Sequence, residues 1–131
     1  MSHFTMVETK ITDQAHLLAA LRDLGYEPVF PEQGQTLVAV RGWARRTAKA
    51  SLKVVSKNAP SYDIGFQQAE DGTYQAVADW WEIGGDERTE IQQHLVQRAA
   101  YHATVATLQA QGFTLVEETD ERGELVLTLM R

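Results

Sequence analysis

Four histidines, His3, His16, His94 and His102, are the side chains from which metal or proton-transfer chemistry would be built. An imidazole does such work beside a second imidazole or a carboxylate at ligand spacing. No His-x-x-x-His pair occurs, and no acid completes a ligand motif around any of the four. His94 and His102 are eight residues apart, about two helical turns, too far to share one ion. No metal site is expected, and His102 is expected to take a packed or hydrogen-bonded core role. The chain has no cysteine, which excludes disulfides, thiolate zinc, iron–sulfur ligation and cysteine nucleophiles. Gly34, Gly42, Gly65 and Gly72 stand alone, so neither a phosphate loop nor a glycine-framed serine is present. No catalytic residue and no cofactor is expected.

Three groupings remain. Asp63 and Asp79 flank one hairpin and could pair across it as acid and base, although surface carboxylates are the ordinary outcome. Trp80 and Trp81 follow at the expected strand end, where neighbouring side chains point to opposite faces. One is expected in the core, the other outside, either as a lid or as an anchor for a partner. His94, Gln97, Arg98 and Tyr101 lie along one helix stripe. Asp63, Trp80, His94, Arg98 and Tyr101 could line a small-ligand pocket between sheet and helices.

Charge is more informative than motif. The net charge is −6, yet residues 33–62 hold no acid and carry Arg41, Arg45, Arg46, Lys49, Lys53 and Lys57, half of the twelve positive charges. From Asp63 to Glu90 there are eight acids against Arg88 alone. Arg45, Arg46, Lys49 and Lys53, with Trp43 among them, could meet nucleic acid, an anionic lipid surface or an acidic protein. Alternatively the basic stretch folds back on the acidic one and balances it. An overall pI near 5.1 argues against nucleic acid.

Elements positioning these residues follow from periodicity and punctuation. Residues 3–10 alternate as a strand. Thr12 or Asp13 caps a helix to Leu24, stopped by Gly25. Tyr26–Phe30 and Thr36–Val40, separated by Pro31-Glu32-Gln33-Gly34, are expected to form a hairpin. Residues 43–50 are ambiguous, and Ser51–Ser56 is a strand. Asp71-Gly72 turns a hairpin of Tyr62–Gln67 and Thr73–Trp80. A long helix runs from Glu87 to Gln111, ending at Gly112. The last hairpin, Phe113–Glu118 and Glu124–Met130, turns at Glu121-Arg122-Gly123 and shows a buried face of Leu125, Leu127 and Leu129.

Residues 18–26 lie over residues 105–113 at a constant offset, and Leu37-Val38 lie over Leu125-Val126 after one extra residue. The expected fold is therefore α+β: one mainly antiparallel sheet of about six to eight strands with two helices on one face. It is expected as a single domain over 1–131, with pseudo-symmetric strand–helix–hairpin halves at about 3–42 and 73–131 joined by 43–68. The alternative is that helix, glycine, aromatic and strand is common punctuation.

The amino-terminal residues lack a basic and apolar leader pattern, and no apolar run approaches membrane-spanning length, so a cytoplasmic location is expected. Tyr62-Asp63-Ile64-Gly65-Phe66, Tyr74 followed by Val77-Ala78-Asp79, Gln97-Arg98-Ala99-Ala100-Tyr101-His102 and Gln111-Gly112-Phe113 resemble the cyanobacterial and plastid family named hypothetical chloroplast reading frame thirty-five. The likeness is spread over the whole chain, from Met1-Ser2-His3-Phe4 onward. It departs at Trp80-Trp81-Glu82 and in the more basic 44–53. It implies a cyanobacterial cytoplasm or plastid stroma and no catalytic residues. A protein partner in a non-enzymatic assembly role is the preferred expectation.

Overall fold

Asp13 starts the first helix as expected: its Oδ1 accepts the Ala15 N–H at 2.8 Å and the His16 N–H at 3.3 Å. Helix α1 (Gln14–Asp23) ends at Gly25, whose φ of 88° lets Tyr26 N–H return to Leu21 O. The same turn recurs at Gly112, with Phe113 N–H on Leu108 O. The two aligned stretches therefore share their helix-ending geometry. The computed structural model describes residues 3–121 and 124–130, without the side chains of 116–129.

The α+β class holds, with eight strands among the described residues in three antiparallel groups. The main sheet has four: β1 (Thr5–Glu8), β4 (Leu52–Val55), β5 (Asp63–Gln68) and β6 (Tyr74–Ala78), in the order β1-β6-β5-β4. A two-stranded ribbon, β2 (Val38–Arg41) with β3 (Thr47–Ala50), is separate. So is the terminal hairpin, β7 (Thr114–Glu121) with β8 (Glu124–Met130). Its expected turn at Arg122-Gly123 and its leucine face lie outside the described residues.

Period-two alternation gives the main sheet two apolar faces. Val7, Leu52, Val54, Ile64, Phe66, Ala76 and Ala78 share one buried core with Leu17 and Leu21 of α1 and with Ile91 and Leu95. The latter two sit on a π-helical stretch, Glu90–Leu95, between α3 (Gly85–Thr89) and α4 (Val96–Ala110). Both long helical elements thus cover one face. On the other, Val77 packs with Val40 and Ala50 of the ribbon. Close approach is possible because β5 carries Gly65 there. A Cβ at that position would lie 2.5 Å from Val40 Cγ2 and 2.7 Å from Ala50 Cβ.

This third layer corrects two expectations. Tyr26–Phe30 does not pair with Thr36–Val40; Val29 instead makes an isolated bridge to Lys53, and β2 pairs with β3. The six to eight strands accordingly do not form one sheet. Val38 and Val40 need an apolar surface, and the groove over Gly65 and beside Val77 provides one that an edge position would not. Trp80 and Trp81 are also not at a strand end but in a helical turn, α2 (Trp80–Ile83). The inside/outside split still holds, with Trp80 5% and Trp81 76% exposed.

Candidate functional site

The ambiguous basic stretch proves to be the ribbon's turn. Arg46 N–H bonds Trp43 O at 3.2 Å around Ala44 (φ 58°, ψ 35°) and Arg45 (φ 61°), a type I′ turn in the left-handed region that Asn-Gly normally fills. Gly42 N–H, not Trp43 N–H, bonds Arg46 O at 2.8 Å, so Gly42 and Trp43 together oppose Arg46 as a bulge. The Trp43 N–H released from the ladder donates to Asp79 Oδ2 at 3.1 Å. Asp79 Oδ1 has no partner among the described residues, although Asp79 is buried.

Left-handed backbone at Ala44 is strained, so Ala44→Gly is expected to raise stability. Relief of about 1–2 kcal/mol, less the greater unfolded-state freedom of glycine, leaves a net gain of about 0.5–1 kcal/mol. Urea denaturation checks it; a midpoint at or below wild type would show that the strain is absent.

Below the turn, Asp63 is fully buried and gathers cations. Its Oδ2 accepts from Arg41 N and Nε, both at 2.9 Å, and Lys53 Nζ at 3.0 Å; its Oδ1 accepts from Arg41 Nη2 at 2.8 Å. Burial alone pushes the Asp63 carboxyl up, but the bonds from Arg41 and Lys53 outweigh it and hold the group below the usual carboxylate range. Lys57 is likewise engaged. It bonds the Leu24 carbonyl at the end of α1, pairs with Glu90 Oε1 at 2.9 Å and lies 4.3 Å from the Tyr26 ring centre.

The six cations therefore divide. Arg41, Lys53 and Lys57 balance acids, whereas Arg45, Arg46 and Lys49 are exposed and have no carboxylate partner among the described residues. Beside them Trp43 is 46% exposed. The turn borders an open concavity of about 480 Å³ that also takes in Thr47, Ser61 and Tyr62. Ser61 and Tyr62 were not among the expected site residues. They reach the turn because Arg41 bonds both Asp63 and Pro60 O, drawing the approach to β5 under β2.

The other expected groupings disperse. Asp63 and Asp79 are held by different donors and form no acid–base pair. Trp80 Nε1 donates to Thr5 O at 3.1 Å and closes the end of β1. Arg98 and His102 converge instead on Asp23 across the α1–α4 seam, with Arg98 Nε at 2.9 Å and His102 Nε2 at 2.6 Å from its Oδ2. Partial burial pushes the Asp23 carboxyl up, but His102 and Arg98 prevail and keep it below its ordinary value. The Arg98 guanidinium lies 4.4 Å from the Tyr101 ring centre, whose edge meets His102. His94 is exposed and joins none of these. The expected pocket of Asp63, Trp80, His94, Arg98 and Tyr101 is thus not assembled. His102 is hydrogen-bonded, but at the partly exposed α1–α4 seam rather than in the core. Among the described residues no helix is long and apolar enough to cross a membrane, and no group of three potential metal ligands occurs.

The family model "Protein of unknown function (DUF1257)" matches residues 20–128, a span that contains the ribbon, the main-sheet strands β4 to β6 and the long helix. The chain belongs to that family. Two relatives resemble it over nearly their whole length. "Uncharacterized protein ycf35" of Guillardia theta is 31% identical over 135 residues, covering 100% of this chain and 98% of the relative. The protein of the same name from Cyanophora paradoxa is 30% identical over 134 residues, again covering 100% and 98%. No solved structure matches the chain.

Proposed function

We propose that this DUF1257 chain is a non-enzymatic protein-binding domain whose docking surface is the tip of the β2–β3 ribbon. Its setting is a cyanobacterial cytoplasm or plastid stroma. The observation that carries the reading is the division of cations: Asp63 and Glu90 engage half of them, and Arg45, Arg46 and Lys49 are left exposed beside Trp43. A half-exposed indole ringed by guanidinium groups fits the centre of a contact with an acidic protein surface. Polyanion binding by Arg45, Arg46, Lys49 and Lys53 loses one of its four members, because Lys53 is spent on Asp63 and the Ala39 carbonyl.

Replacing Arg45, Arg46 and Lys49 together by glutamine leaves stability within about 0.5 kcal/mol, since all three are exposed. Tagged wild-type chain, recovered from native extract at low salt, is expected to retain an acidic protein that the triple variant and raised ionic strength both release. Identical proteins recovered with wild type and variant would overturn the reading.

A further inference from the structure

We infer that the concavity beside the ribbon turn binds a free mononucleotide, an activity that goes beyond docking and requires no protein partner. Its volume, about 480 Å³, falls within the range of small-ligand sites. None of its lining residues is acidic, in a chain whose net charge is −6. Trp43 and Tyr62 supply flat apolar surface for a base. Arg45 and Arg46 supply guanidinium groups that no carboxylate among the described residues occupies, and Thr47 and Ser61 add hydroxyls. Planar guanidinium matches phosphate through paired hydrogen bonds, and stacking on an aromatic face holds a base. A bare anion would leave the aromatic lining unused, and a neutral ring would leave the arginines unused.

The site is also built in advance. Asp63 fixes Arg41 through three hydrogen bonds, Asp79 fixes the Trp43 backbone, and the Arg46 N–H closes the turn. The backbone of the site is thus fixed, and the ordering that binding must still supply is confined to the exposed side chains. A polymer fits less well. Among the described residues, the cations of this segment without a carboxylate partner are confined to Arg45 and Arg46 in the turn and Lys49 in β3. A polymer gains affinity by adding phosphate contacts along its length, and so short a cluster offers few.

Calorimetric titration of the purified full chain with ATP, GTP, adenosine, tripolyphosphate and a single-stranded RNA of about ten nucleotides tests this. Expected is saturable one-site binding of a nucleoside triphosphate, with adenosine and tripolyphosphate each weaker by about tenfold or more. Arg45→Gly with Arg46→Gln removes both guanidinium groups while relieving the turn, and Trp43→Ala keeps its anchoring backbone N–H. Each is expected to weaken nucleotide binding by about tenfold or more, with the urea midpoint of the double variant at or above wild type. No saturable binding of either nucleotide overturns the inference, as does tripolyphosphate binding as tightly as ATP. RNA binding more tightly than ATP, with a salt dependence of several phosphates, makes the site a polymer site and overturns it too. If the triple glutamine variant loses its protein partner while wild type binds no nucleotide, the docking reading stands and this one falls.

Discussion

Glu87→Gln is expected to lower the free energy of unfolding at neutral pH by about 2–4 kcal/mol, among the larger effects one conservative substitution can have. Glu87 is buried in α3, where its carboxylate accepts four hydrogen bonds. Oε1 takes Ser56 Oγ at 2.6 Å and Asn58 N at 3.2 Å, and Oε2 takes Tyr26 OH at 2.7 Å and Lys57 N at 2.9 Å. Glutamine offers one acceptor oxygen and one amide nitrogen that can only donate, through two N–H groups. Either hydroxyl can rotate to accept from the new amide, but a backbone N–H cannot, so Lys57 or Asn58 must face it unpaired. Burial pushes the Glu87 carboxyl up, yet the bonds from Ser56, Tyr26, Lys57 and Asn58 win and hold it below its ordinary range. Tyr26 is raised by burial and by Glu87 and keeps its proton. A carboxyl depressed in the folded state stabilises above its unfolded pKa, about 4.3, and that contribution is lost as pH falls through the folded value. Urea denaturation from pH 7 to 3 should therefore show wild type converging on the glutamine variant in acid. A constant gap across that range, or a gap below about 1 kcal/mol at pH 7, would show that the carboxylate is not what holds the three segments.

Glu87 also shows what a sequence can and cannot display. It stands in the first turn of a helix, where an acid favours the dipole, and that local role fully accounts for its residue type. Its actual partners come from residues 26 and 56–58, and no spacing announces them. Features decided within a few residues were legible: the cap at Asp13, the helix ends at Gly25 and Gly112, and the turn at Asp71-Gly72, where Thr73 N–H bonds Asp71 Oδ1. The ribbon was not, for two physical reasons. Its turn uses Ala44 and Arg45 where left-handed backbone ordinarily selects Asn or Gly, so the strongest hairpin signal is missing. Its packing depends on Gly65, about twenty residues away on another strand, being small enough to admit Val40 and Ala50. The charge segregation was visible, but which cations remain unpaired depends on which of them Asp63 and Glu90 can reach.

Asp63→Asn carries the second large effect, a loss of about 3–5 kcal/mol, because it strands cations that were drawn in against a buried charge. Lys53 is the critical partner: its side chain is 18% exposed, and its ammonium is held between Asp63 and the Ala39 carbonyl, with less freedom than Arg41 to turn into solvent. Asparagine presents at most one oxygen to donors that now include two uncompensated positive groups. Adding Lys53→Met should recover part of the loss, and a double-mutant cycle is expected to give a coupling of about 1–3 kcal/mol. Additivity of the two substitutions would mean that the ion pair is incidental to the fold. Because the Asp63 carboxyl is also depressed in the folded state, its contribution is present above about pH 4 and fades as the pH falls through the folded value. The consequence for the ribbon tip is separable from stability. Asp63 touches neither Arg45 nor Arg46, yet it holds Arg41, one strand residue before the bulge that sets their direction. With the Asp63→Asn variant still folded in mild conditions, nucleotide affinity should fall although no lining carboxylate or cation has been removed. Equal affinity would place the orientation of the tip with the Asp79–Trp43 anchor alone.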